Sequence, residues 1–204
     1  MRVFWFLIII CIPIVIIFSN LLLLIFNQRS YFNIFEKTSV YRQIDRETSN
    51  QAAKELIGYF KDKNNLDHNY YSNQAILHLK DVKKLINLVE VSALISTGIL
   101  LISSSCLVIK KKLHLLKNAF LTGAIATFII SSIFAILLVF SFQNAFILFH
   151  KIAFTNGLWL FDESDNLIKL FPIAFFAAFC KKLLINIIAT SVVISTISFV
   201  SLKK

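Results

Sequence analysis

The chain has 204 residues, 57% of them hydrophobic and only 16% charged, with a mean hydropathy of +0.76. That excludes a soluble globular domain of this length and leaves an integral membrane protein with a modest extramembrane portion. Lys and Arg number 21 against 11 Asp and Glu, a formal charge of +10. The basic residues flank apolar runs with no stacking platform beside them, so nucleic acid is not expected as a partner.

Residues 3–26 form an apolar run behind Met1 and Arg2, long enough to span and without a small-residue cleavage site. They are expected to be an uncleaved signal anchor, kinked at Pro13, with Ser19 and Asn20 bonding to backbone or to another helix. From residue 27 to 86 the chain turns polar and mixed in charge. Thr48 and Ser49 look like a helix start, and Ala52, Ala53, Leu56, Ile57 and Phe60 follow at helical spacing. The turn-like residues 61–65 end that helix, and Tyr59, Phe60, Tyr70 and Tyr71 are expected in a small core.

A second helix is predicted from Ser72 or Asn73 straight into a span at 87–109. In its outer part His78, Asp81, Val82 and Leu85 share one face, which offers an imidazole–carboxylate pair just outside the membrane. A short connection, 110–117, carries Lys110, Lys111, Lys112, His114 and Lys117 into a third span, 118–142, where Gly123, Ala124 and Ala126 permit close helix approach. A fourth span, 183–202, ends in Lys203 and Lys204. With the N-terminus inside, Arg2 and these lysine clusters face the cytoplasm and all 11 carboxylates fall outside, with Lys181 and Lys182 as a mild exception. Cys11, Cys106 and Cys180 lie far apart, in or beside apolar runs, with neither metal nor redox spacing.

The outer segment 143–182 departs most from an ordinary membrane loop. It sets His150, the turn signal Asn156-Gly157, Trp159, the carboxylates Asp162, Glu163 and Asp165, and Pro172 in an aromatic background. Helices joined by the short 110–117 connection are antiparallel neighbours, which brings His78 and His150 toward one site at the outer border. His68 and His114 have no such setting. The fold expected is an all-α integral membrane protein of four transmembrane helices, treated as a single domain over 1–204. Its outer segments are mostly helical between spans 1 and 2 and a membrane-border loop and helix between spans 3 and 4.

Phe149-His150-Lys151, then Phe154, Asn156, Trp159, Asp162, Asp165, Leu167, Ile168, Pro172, Phe175 and Phe176, with His78-Leu79-Lys80-Asp81-Val82 upstream, make a pattern. It resembles that of the bacterial lipoprotein intramolecular transacylases, the Lit family, and the likeness in layout covers nearly the whole chain. The resemblance implies transfer of the sn-2 acyl chain of a lipoprotein's diacylglyceryl-cysteine to the α-amino group of that cysteine, giving a lyso-form lipoprotein. It also implies catalytic roles for His78 and His150, with Asp81, Asn156, Trp159, Asp162 and Asp165 supporting or binding substrate. The sequence departs from the family pattern at Ala75, where a carboxylate is common. Diacylated bacterial lipoproteins and membrane lipid are the partners implied, and the location is the bacterial cell membrane, multi-pass, with the site on its extracytoplasmic side.

The residues suit that reaction on chemical grounds. An α-amino group must be neutral to attack an ester, and a neutral histidine is a suitable base at ordinary pH. Nucleophile and ester belong to one substrate, so no serine or cysteine nucleophile, metal or cofactor is required. A membrane-embedded lipid esterase, a metal hydrolase, a transporter and a non-enzymatic adaptor are the competing classes. Transport is disfavoured because the span interiors lack ionisable groups apart from Glu90.

Overall fold

The computed structural model describes residues 1–202; Lys203 and Lys204, assigned above to the cytoplasmic anchor, lie outside the described residues. The chain is helical throughout: α1 (Arg2–Ile25), α2 (Gln28–Lys37), a 3₁₀ turn (Val40–Arg42), α3 (Arg46–Phe60), α4 (Asn73–Ile109), α5 (Leu113–Ala153), α6 (Asn166–Leu170) and α7 (Ile173–Leu202). Four of these, α1, α4, α5 and α7, are long and apolar enough to cross a membrane.

Length is the informative property of α4 and α5. At 1.5 Å per residue their 37 and 41 residues extend about 55 and 60 Å, against about 30 Å of bilayer hydrocarbon. Each therefore has polar turns to spare beyond its span. The third helix was expected to end its span at Phe142, and α5 is broken one residue earlier: Ser141 has φ −161° and ψ 72°, extended backbone between two helical stretches. The second stretch then runs to Ala153. Between α4 and α5 the chain reverses at Lys111, whose φ of 55° is left-handed, with the Lys112 amide donating to Leu107 O at 2.9 Å.

Contacts divide the chain into two compact units. The first comprises Met1–Leu22, Leu88–Ile136 and Leu183–Lys204. Ile8, Ile12, Ile16, Leu107, Ala119 and Ile187 are its core. Gly123 is required by proximity: a Cβ there would stand 2.9 Å from Ile12 Cβ, so α1 and α5 meet with no room for a side chain. Buried hydroxyls bond back along their own helices, Thr127 to Gly123 O and Ser191 to Ile187 O, each at 2.8 Å. Asn20 donates to Ile16 O at 2.8 Å and to Thr190 Oγ1 at 3.4 Å, the backbone and cross-helix roles expected of it. α1 stays helical through Pro13. The outward faces show Leu94, Ile95, Leu101, Ile102, Ile129 and Ile130, an apolar surface suited to hydrocarbon.

The second unit comprises Leu23–Asn87 and Leu137–Lys182. Its aromatic centre is Tyr31, Phe35, Phe171 and Phe175, with ring centroids 4.9 to 6.2 Å apart. α3 starts at Asp45, whose carboxylate accepts from the Thr48 amide at 2.9 Å, rather than at Thr48 or Ser49. Asp is as strong an N-cap as Ser or Thr, and Ser49 is instead buried with its hydroxyl on Asp45 O. Ala52, Ala53, Leu56, Ile57 and Phe60 form the buried face as their spacing predicts. Phe60 and Tyr71 lie in the core, while Tyr59 and Tyr70 are half-buried. α3 ends where residues 61–65 turn: Asp62 is left-handed at φ 56°, and the Lys63 amide bonds Gly58 O at 2.9 Å. Pro172 immediately precedes α7 and its carbonyl accepts from Phe175 N, so this helix begins ten residues before the expected span.

Candidate active site

His78 and His150 both belong to the second unit, the first near the start of α4 and the second in the last turn of α5. Their rings face each other with centroids 6.1 Å apart and planes 27° from parallel. Each is 7% exposed. Around His78 stand Phe154 at 4.9 Å and Phe161 at 5.6 Å. Phe146 (4.2 Å), Phe149 (5.3 Å), Phe154 (5.6 Å) and Trp159 (5.2 Å) surround His150.

Hydrogen bonding distinguishes the two imidazoles. His150 Nδ1 lies 2.8 Å from Phe146 O. A carbonyl only accepts, so Nδ1 carries the proton and the neutral ring presents its lone pair at Nε2. His78 has no hydrogen-bond partner among the described residues, and its Nδ1 is fully enclosed. A buried polar atom without a partner costs about 1–3 kcal/mol; Tyr70 Oη and Ser104 Oγ share that state, and what sets the His78 atom apart is the second imidazole facing its ring.

Electrostatics keep both rings neutral. Burial pushes His78 down to about 4; neighbouring His150 acts in the same direction and Asp81 opposes it. Burial also holds His150 below the ordinary histidine value, opposed by its bond to the Phe146 carbonyl.

The imidazole–carboxylate pair read from the spacing of His78 and Asp81 is not a hydrogen bond. Asp81 instead accepts from Lys84 Nζ at 2.8 Å and from Asn156 Nδ2 at 2.9 Å, which hold its carboxyl below the usual range. Asp81 and Asn156 thus join α4 to the loop that follows α5. Asn156 Oδ1 also accepts from the Leu158 amide at 3.1 Å, so the Asn-Gly turn forms through the asparagine side chain. Gly157 needs no left-handed backbone there.

Trp159 is half-buried against His150, and its indole N–H makes no hydrogen bond among the described residues. Asp165 is not brought to the imidazoles. It caps α6, accepting from Leu167 N at 2.8 Å, and takes the Ser72 hydroxyl at 2.7 Å. Asp162 is exposed and makes no side-chain hydrogen bond. Ala75 is fully buried, so a carboxylate at that position would be enclosed in this chain.

Two residues at the site carry no signal the sequence reading used. Phe161 closes over His78 from an irregular stretch of chain with no periodicity to follow. Gln74 donates from Nε2 to Leu158 O at 3.2 Å and Leu160 O at 2.7 Å; its position four residues before His78, on the same helical stripe, could have marked it.

The fold has solved counterparts. It superposes on the membrane-integral lipoprotein intramolecular transacylase Lit from Bacillus cereus with a TM-score of 0.87 and 21% identity, covering 96% of this chain and 93% of that one. A histidine-to-alanine variant of the same Bacillus cereus protein aligns at 0.84 and 20% identity, over 99% and 93%. Identity this low establishes the fold and not the roles of residues. No curated protein matches significantly by sequence. The sequence profile of the family described as lipoprotein intramolecular transacylase Lit matches residues 6–176, and the chain, an acyltransferase, belongs to that family.

Proposed function

We propose that this chain moves the sn-2 acyl group of a diacylglyceryl-cysteine onto the α-amino group of the same N-terminal cysteine, with His150 as base and His78 as hydrogen-bond donor. The observation that carries this reading is the pair of facing neutral imidazoles with the His150 Nε2 lone pair and the His78 nitrogens all unengaged. The amine nitrogen attacks the ester carbonyl carbon and its proton passes to His150 Nε2. The oxyanion is met by an N–H of neutral His78, with Trp159 Nε1–H as a further donor. A neutral imidazole is the better oxyanion donor here, since a buried imidazolium would be costly to maintain. Collapse breaks the carbonyl carbon–oxygen bond, and His150 returns the proton to the glyceryl oxygen. The products are an N-acyl cysteine and a monoacylglyceryl group, with all atoms accounted for and no acyl-enzyme. Diacylated bacterial lipoproteins are the substrates, presented at the outer face of the cell membrane.

His78→Ala and His150→Ala are each expected to lower lyso-lipoprotein formation at least about 100-fold, on the order of 3 kcal/mol, while the protein still accumulates in membranes. His68→Ala and His114→Ala, at exposed positions, serve as controls and should be nearly silent. Mass spectrometry of lipoprotein N-termini gives the answer, and full activity in either site variant removes that histidine from the mechanism.

The pH profile has a determined sign. Both imidazoles are held neutral below the ordinary histidine value, His78 to about 4, so the acid limb of turnover belongs to the substrate amine. The rate should climb about tenfold per pH unit toward the amine pKa of about 8 and then level, with no break near pH 6.5. Stability follows the opposite partner in the linkage. The unfolded chain takes up the histidine protons first, so stability is complete above about 6.5 and declines as pH falls toward about 4. Turnover of a diacylated lipopeptide in detergent across pH 5 to 9, beside thermal midpoints over the same range, measures both.

Sidedness rests on charge. Arg2, Lys110, Lys111, Lys112 and Lys117 have no acidic residue among them, whereas the chain segments that hold the histidines, 27–86 and 143–182, include Asp81, Asp162 and Asp165. An introduced thiol near Lys63 should react with an impermeant reagent in intact cells, and one near Lys112 should not. The reverse pattern would put the site on the wrong side of the membrane for its substrate.

Hydrolysis of the same ester is the second reading, favoured by any histidine base near a carbonyl. The aromatic enclosure of His78 and His150 opposes it by limiting water. A lipopeptide whose amine has been acetylated should therefore not turn over and should release negligible fatty acid. Deacylated product from the blocked peptide would replace transacylation with a membrane lipase.

A further inference from the structure

α4 carries three polar side chains along one stripe: Gln74, His78 and Asp81, separated by one turn and by three residues. The outer two hold the same loop. Gln74 Nε2 donates to Leu158 O and Leu160 O, the two carbonyls that bracket Trp159. Asp81 holds Asn156 at the loop's other end. Between these attachments the loop lays Trp159 against His150 at 5.2 Å, and just beyond them Phe161 reaches His78 at 5.6 Å.

We infer that Gln74 is a positioning residue for the transacylation: by tying both carbonyls around Trp159 to the helix that carries His78, it sets the indole against His150. The inference rests on the roles proposed above for the two histidines. Gln74 makes no hydrogen bond to either imidazole among the described residues, so its hold on the site runs through the loop. Its two bonds are the only side-chain attachment of residues 157–160 to α4 among the described residues. The turn's remaining bonds, Leu158 N to Asn156 Oδ1 and Leu160 N to Gly157 O, are local and would hold the turn's shape while letting it swing. A terminal amide is required. One nitrogen supplies two N–H donors, which is what two adjacent carbonyls ask for, and neither a carboxylate nor a thioether can answer.

The consequence is a separation of rate from binding. Displacing an indole that lines the reacting centre by about 1 Å costs on the order of 100-fold in turnover, whereas lipid chains are held by apolar area that Gln74 does not provide. The test uses the full-length protein in detergent with Trp5→Phe, which leaves Trp159 as the sole tryptophan and lies in the other compact unit. Gln74→Met keeps the length and removes both donors; Gln74→Glu keeps the shape and reverses the polarity. Both should lower kcat about 10- to 100-fold with KM changed less than about threefold, and both should shift Trp159 emission to the red and increase its quenching by iodide. Unaltered emission and quenching in both variants overturns the inference whatever happens to activity, as does an altered indole signal with kcat intact. Should Gln74→Met fail to accumulate, Gln74→Glu decides alone, and if it too fails, Gln74→Asn, whose amide is one methylene too short to reach both carbonyls, is read by the same emission and decides. Full activity in His150→Ala would remove the catalytic reading and leave the emission result standing, so the two failures are distinguishable.

Discussion

Desolvation of two imidazoles is the constraint on which the second unit depends. Buried histidines are usually paired with a carboxylate or a carbonyl, and here one of the two has neither. Phe146, Phe149, Phe154, Trp159 and Phe161 supply the surround that excludes solvent, and the same exclusion keeps both rings uncharged. Had Asp81 bonded His78 directly, it would have favoured the imidazolium and left a charge where a neutral donor is wanted. Its occupation by Lys84 and Asn156 removes that option. The carboxylate acts on the loop, and its charge reaches His78 only weakly.

Both histidines ride on helices longer than a membrane span needs. α4 and α5 each exceed the hydrocarbon thickness, and the excess turns are those that carry the histidines. A glyceryl ester sits at the level where acyl chains meet the headgroups, and residues a few turns beyond an apolar span meet it there. Ser141 permits the outer stretch of α5 to take its own direction after the span. That freedom suits a helix whose last turn must present His150 to a ring on another helix.

The architecture was legible in the sequence because apolar run length and charge placement are strong, additive signals. Four long apolar helices and the buried face of α3 follow from them, and the Lys111 reversal falls within the connection they marked. The convergence of His78 and His150 was legible through chain topology together with the family-like motif around His150. What the sequence misread was pairwise. Spacing placed His78 and Asp81 on one face, yet a shared face does not decide which partner a carboxylate takes, and Asn156, far along the chain, wins it. Asp165, expected to support the site or bind substrate, caps α6 and holds Ser72 just before α4, a tie that motif spacing does not specify. Helix ends were misplaced where propensity gives little warning, as at Asp45 and Ile173.

The absence of a protein nucleophile from the site follows from the substrate proposed for it. An enzyme that carries an acyl group between separate molecules can hold it in the interval on an activated serine or cysteine. When amine and ester belong to the same residue, orientation replaces that covalent intermediate, and effective molarity does the work of nucleophilicity. Water is then the only competing nucleophile, and rings do more against it than polar groups would. Cys180 is only partly buried and its thiol makes no hydrogen bond among the described residues, while the Ser72 hydroxyl donates to the Asp165 carboxylate, a weaker base than an imidazole. The aromatic enclosure and its two buried imidazoles thus match what the proposed chemistry asks for.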